Sequence, residues 1–380
     1  MRFITADYLF PLHRKPVKNG ILCVSKEGEV LNIYDNNSSI KDKKIEYYKG
    51  IICPGFINAH CHLELSHLKS FVEEGVGLLS FIKKIKHRNS FSESEILSSI
   101  RDADKQMKKN GIVAVGDICN STDTIFIKKK STIKYYNFIE TFSVYDTNVD
   151  EKLSNAKLIR NKFRSQGLKA TITPHSPYST TPSLLKKICE EIDSSDDIIT
   201  FHNQESESEN KLFKLKKGEL YEWLKKIGSS PNIWEDRLLS PTLSVSSYFK
   251  EKIKLLLVHN THTTKNDLID EYYCVCPSSN LYIENSLPDF NIFNNKKLCV
   301  GTDSLASNHH LSILDEIKII ERNTNFDLNT LLKIASKNAA LAFSFDNLGT
   351  FENNKKPGIN LITNIHNFKL TAKSKVVRIY

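Results

Sequence analysis

The stretch GIICPGFINAHCHLELSHLK, residues 50–69, decides how the chain is read. An apolar run is broken by Pro54-Gly55 and resumes, and where it stops it carries His60 and His62, one residue apart. Alternate side chains of a strand point to the same face, so this spacing aims both imidazoles at one point. In a surface loop the pair would do nothing further. As half of a metal site it needs partners from elsewhere in the chain.

The same pattern recurs downstream. Short apolar runs end in a polar or charged residue and are followed by segments of helical character: 51–60, 111–118, 133–140, 168–175, 197–205, 254–261, 272–277 and 297–303. Continuous apolar runs of this length suit strands buried on both faces. The intervening segments carry helix signals. Ser92 opens 92–111 with a capping pattern and a closing glycine, Thr181 or Thr180 caps 181–192, and 327–343 reads as a last helix. Eight strands alternating with helices predict an α/β fold, a distorted (β/α)8 TIM barrel. The alternative, an open doubly wound sheet, lacks its Gly-rich phosphate turn. Both chain ends show short alternating pieces with polar turns and too little apolar surface for a core of their own. We expect 1–53 and 346–380 to form one small, discontinuous β-sandwich domain beside a barrel at 54–345.

Composition narrows the partners. The 380 residues carry a net charge of +9, with lysines spread along the chain in short groups such as KKK (128–130) and KLKK (214–217). Such groups read as solvated helix faces rather than a nucleic-acid groove. No apolar stretch is long enough for a membrane span, and the first residues lack a secretory h-region. The expectation is a cytoplasmic protein acting on a small molecule, without nucleic acid or membrane partners and compatible with a homo-oligomer. The eight cysteines lie far apart with no Cys-x-x-Cys pair, which reads as buried free thiols.

In such a barrel the reactive groups stand at the C-terminal strand ends. There the runs carry His60 and His62, then His175, then His202 with Glu205 just after, then His259 with His262 just after, and finally Asp303. Each alone has a plainer reading: His202 as a hydrogen-bonded core residue, Asp303 as a turn cap. Together His60, His62, His202 and Asp303 supply three imidazole nitrogens and one carboxylate, a set suited to one divalent ion, Zn first, with Fe or Mn as alternatives. His62-Leu63-Glu64 also fits the H-x-E of cytidine-type zinc deaminases, but the P-C-x-x-C those require is absent.

The ordered motifs PGFINAHCHLE, TPHSPYS, HNQE, VHNTHT, CPSSN and GTDS resemble the amidohydrolase superfamily, in its deaminase and chlorohydrolase branch, over essentially the whole chain. The resemblance implies a metal-dependent hydrolase of carbon–nitrogen bonds. His60, His62, His202 and Asp303 match its ligands and Glu205 its proton-shuttling acid. His259 matches the histidine that holds nucleophile or leaving group, and His175 one that touches substrate. Asp303 also has a catalytic part, accepting a proton from the attacking water. Glu64 and Ser304 are read as further substrate contacts. The fourth run ends without the lysine that bridges two ions in binuclear members, so a single ion is expected. Glu140, at the end of the third run, is a carboxylate on the surface or behind the ligands. HxHLE followed by Leu-Ser is similar to deaminases of adenine-containing nucleosides, among them aminodeoxyfutalosine deaminases. The expected activity is therefore hydrolytic deamination of a purine-like N-heterocycle. Cyclic-amide hydrolysis or chloride displacement on the same scaffold is the alternative, followed by a catalytically silent binding protein.

Overall fold

The structure, a computed structural model, describes residues 1–35, 43–86, 90–192, 194, 197–229, 238–249 and 253–380. The chain begins with β1 (Arg2–Leu9), β2 (Val17–Lys18), β3 (Ile21–Val24), β4 (Val30–Tyr34) and β5 (Ile45–Pro54). The apolar run that the sequence presents as one unit is cut here: Gly55 ends β5, and a Cβ at that position would meet Val113 and the Pro357 carbonyl oxygen. The chain then enters eight parallel strands: β6 (Phe56–Cys61), β7 (Ile112–Cys119), β8 (Lys134–Thr141), β9 (Ala170–Pro174), β10 (Ile198–Asn203), β11 (Lys254–His259), β12 (Tyr272–Val275) and β13 (Leu298–Val300). It closes in β14 (Ile359–Thr363) and β15 (Lys375–Arg378), which join β1–β5 in one seven-stranded sheet of order β15-β14-β5-β1-β3-β4, with β2 on β1.

The eight parallel strands form two quartets, β6–β9 and β10–β13. Hydrogen bonds link the quartets at both edges. His202 N–H donates to the His175 carbonyl at 2.8 Å, and Thr302 and Asp303 N–H both donate to the His60 carbonyl, at 3.1 and 3.0 Å. Lower on the second seam Asn58 Nδ2 donates to Thr302 Oγ1 at 2.7 Å. The ring is a TIM-barrel architecture, and its seams run through residues of the expected site. Alternation on β10 is plain: Ile198 belongs to one buried cluster with Tyr136, Phe138 and Val258, while Ile199 and Phe201 pack in the other, with residues of the surrounding helices.

The helix signals hold with one refinement. Ser92 caps the helix Glu93–Lys109 in a reciprocal box with Glu95, and Thr181 caps Pro182–Glu190. The segment 327–343 forms a helix with a π turn at Lys333–Lys337. Ser336 in that turn donates to the Gly55 carbonyl at 2.6 Å, and Asn338 just after it to the Leu298 carbonyl at 2.7 Å. All eight cysteines are buried and unpaired.

One charge expectation is corrected. Lys128 does not lie on a solvated face: it is buried, pairs with Asp117, donates to Asn137 Oδ1 at 2.6 Å and lies 3.1 Å from Cys119 Sγ. Burial opposes its charge, but Asp117 and Cys119 together outweigh it and hold the ammonium above its ordinary pKa. The other Asp117 oxygen accepts the Leu63 N–H at 2.8 Å, so the pair pins the backbone directly after His62. Lys128→Met is expected to cost roughly 3–5 kcal/mol, because it strands a buried carboxylate. The double variant with Asp117→Asn should recover part of that loss. Urea unfolding of the three proteins measures it, and a single variant costing under about 1 kcal/mol contradicts a charged pair.

Candidate metal centre and active site

At the mouth of the barrel His62 Nε2 lies 3.2 Å from His60 Nε2 and 3.2 Å from His202 Nε2. Asp303 Oδ1 lies 3.5 Å from His60 Nε2 and 3.4 Å from His62 Nε2. Neighbouring ligand atoms around one ion with bonds of about 2.0–2.1 Å lie about 3.3–3.4 Å apart in a tetrahedral arrangement, and these four separations are of that size. Hydrogen bonding does not explain them. His202 Nδ1 faces the His175 carbonyl at 2.8 Å, which places its proton there and leaves Nε2 a lone pair. A single proton on His62 could serve only one of its two neighbours. Burial drives all three rings toward the neutral, ligand-ready form: it lowers His60, takes His62 down to about 3 and holds His202 well below its usual range.

The surrounding contacts orient each donor. Asp303 Oδ2 accepts from Ser279 Oγ at 2.7 Å and Ser307 Oγ at 2.6 Å, turning Oδ1 to the imidazoles. Two hydroxyl donors also favour the ionised carboxylate. Strand ends here are forced into left-handed backbone: Gln204, His259, Asn260 and Asp303 have φ of 46°, 70°, 57° and 56°. Such conformations cost of order 1–3 kcal/mol each and gather where side chains must be aimed. Gly301, two residues before Asp303, lies against His60, and a Cβ there would stand 2.8 Å from the His60 backbone N and O. Gly301→Ala is expected to cost about 1–3 kcal/mol and to weaken metal retention by parting the seam between His60 and Asp303. Thermal unfolding with and without added metal tests this, and an unchanged metal-dependent shift contradicts it.

The other expected residues surround this centre. Glu205 is buried, its Oε1 3.6 Å from His259 Nε2. Burial first, then the charges of Asp303 and Glu284, push its pKa well above its ordinary value, which favours the protonated acid. His259 Nδ1 lies 2.8 Å from Asn280 Oδ1, which assigns the proton to Nδ1 and turns Nε2 to Glu205. His175 Nδ1 lies 2.7 Å from Ser179 Oγ, and its ring packs 4.7 Å from that of His202. Ser304 lines the same pocket as His62, His175, Glu205 and Asp303, with Leu78, Phe81 and Ile85 as its apolar wall. Glu64 is buried, with Oε2 accepting Asn120 N–H, Ser121 N–H and Ser121 Oγ–H at 3.1, 3.0 and 2.9 Å. Glu140 is not on the surface: its Oε1 lies 3.6 Å from His202 Nδ1 and burial pushes it up to about 8. His262 faces Glu207 and Lys211 instead of the cluster.

A family model described as the amidohydrolase family matches residues 51–379. The chain belongs to the amidohydrolase family. This amidohydrolase is 24% identical over 353 residues to an adenosine deaminase of Helicobacter pylori, across 88% of this chain and 84% of that protein. Its fold superposes with a TM-score of 0.82 on Helicobacter pylori aminofutalosine deaminase bound to methylthio-coformycin, at 21% identity and 100% coverage of both chains. A zinc-bound adenosine deaminase of Xanthomonas campestris superposes at 0.72 and 17% identity, over 95% of this chain and 84% of that one. Sequence reasoning about the amidohydrolase assigned no role to Ser279 and Asn280, although both lie in CPSSN, or to Ser307. It also missed the apolar wall from the helix Leu78–Ile85.

Proposed function

We propose that this amidohydrolase is a hydrolytic deaminase that replaces the exocyclic amine of an adenine-type nucleoside by oxygen, consuming water and releasing ammonia. The observation that carries the reading is the meeting, at the strand ends, of His60, His62, His202 and Asp303 with a further buried carboxyl group, Glu205. His60, His62, His202 and Asp303 would hold a divalent ion, zinc by preference for three nitrogens and one carboxylate. Bound there, such an ion supplies Lewis acidity and brings the pKa of water from 15.7 toward about 7. Glu205 gives its proton to a ring nitrogen of the substrate, which makes the neighbouring carbon more electrophilic. His259, fixed by Asn280, presents Nε2 to orient the attacking oxygen, and Asp303 accepts a proton at the same centre. His175 and Ser304 border the ring, and Leu78, Phe81 and Ile85 exclude water from it. The names of the relatives support the substrate class. Among the described residues no helix is long and apolar enough to cross a membrane.

The test is ammonia release from adenosine-type amines, cyclic amides and chlorinated heterocycles, alongside metal analysis of the same sample. The reading predicts about one ion per chain and turnover confined to the amines. Chloride release or ring opening without ammonia contradicts it.

A further inference from the structure

A buried carboxyl group ties together the two segments that hold Asp303. Glu316, on the helix Ile313–Arg322, is 1% exposed. Its Oε2 accepts the Ser278 N–H at 2.8 Å and its Oε1 accepts Asn308 Nδ2 at 2.9 Å. The residues next to those two donors are Ser279 and Ser307, whose hydroxyls both donate to Asp303 Oδ2. Asn308 Nδ2 also donates to the carbonyl of Thr302, directly before Asp303, at 2.8 Å. The structure assigns Glu316 as a positioning residue for the ion: it sets the placement of Ser279 and Ser307, and through them the direction of Asp303 Oδ1. This inference rests on the metal centre of the reading above and adds a residue that no step of the chemistry uses.

Three observations carry it. The two segments are distant in sequence: Ser278 and Ser279 lie in the first turn of the helix Pro277–Glu284, whereas Ser307 and Asn308 follow β13. A carboxylate offers two acceptor oxygens at a fixed separation, so it can hold one segment against the other, which a single hydrogen bond does not do. Second, a carboxylate oxygen has two lone pairs, and the two serines take both of those on Asp303 Oδ2. A shift of either serine frees a lone pair there and lets the carboxylate turn. Third, no basic side chain among the described residues bears on Glu316. Burial pushes its pKa up to about 7 against the pull of the Ser278 and Asn308 donors. Burying a carboxyl group without a counter-charge is unfavourable. What Glu316 supplies that an apolar residue would not is the paired acceptors.

The experiment measures zinc affinity by competition with a chelator, on stripped and reloaded protein. It compares the parent, Glu316→Gln, the pair Ser279→Ala with Ser307→Ala, and all three changes together. Gln keeps the shape but turns an amide nitrogen, itself a donor, toward one of the two donors. Loss of a partner behind a metal ligand typically weakens binding about 10–100-fold, and that range is expected for Glu316→Gln. Because Glu316 acts through the serines, its change should weaken zinc only a few-fold more when the serine hydroxyls are already gone. With cobalt in place of zinc, the visible absorption of the ion should change in Glu316→Gln and in the serine pair alike. A merely structural Glu316 lowers Tm and leaves zinc affinity and the cobalt spectrum as in the parent. That result, or zinc losses that multiply when all changes are combined, overturns the inference. If Glu316→Gln does not fold, Asn308→Ala, which removes one arm of the bridge, takes its place in the same comparison. Ammonia release from adenosine is followed on the same samples. A parent that binds zinc without deaminating overturns the deaminase reading and leaves this inference standing, and a parent that binds no zinc overturns both.

Discussion

Glu205→Gln is expected to lose roughly 10²–10⁴ in kcat, the range of a general acid–base residue, while retaining its metal and its fold. The expectation rests on placement. Glu205 is buried on the pocket lining, its pKa is raised by burial and by the charge of Asp303, and it faces His259. Gln keeps the shape and the hydrogen-bonding reach but has no proton to give. The expected metal donors are other residues, so elemental analysis should find the same ion content in variant and parent. Single-turnover measurements of ammonia release separate the chemical step from binding. A variant that turns over within a few-fold of the parent removes Glu205 from the chemistry.

The second large effect concerns the ion itself. Chelation, or His202→Ala, is expected to abolish turnover and to lower thermal stability together. In the ion-free protein three neutral imidazoles and a carboxylate stay crowded at 3.2–3.5 Å with no cation between them. An ion bound only by the folded state stabilises it by RT ln(1 + [L]/Kd), about 2.7 kcal/mol at a hundredfold excess over Kd. For a chain of this length that is a shift of a few degrees in Tm. Returning zinc should restore both activity and Tm to the chelated parent, and neither to His202→Ala. Calorimetry with and without chelator measures it, and an unchanged Tm contradicts ligation by these residues.

The eight strands were legible because each is a continuous apolar run bounded by polar residues, and the candidate ligands because strand ends are where such a barrel displays chemistry. One error and one reading left open have physical causes. Lys128 sits in KKK, which looks like a solvated face, and nothing local reveals that Asp117, Cys119 and Asn137 wait across the strands to receive its charge. Glu140 could have been placed, since it shares strand parity with Tyr136 and Phe138, both buried in the cluster that includes Ile198 and Val258. The apolar wall of the pocket was out of reach of pattern reading. It comes from the helix at 78–85, whose apposition to the strand ends only the fold creates.

The central claim is that β6, β10 and the turn after β13 bring four side chains to one cation. Anomalous X-ray diffraction from crystals of protein purified without chelator tests it most directly. The account predicts one peak per chain, about 2.0–2.2 Å from His60 Nε2, His62 Nε2, His202 Nε2 and Asp303 Oδ1. A peak held by other residues, or none after zinc is supplied, contradicts it.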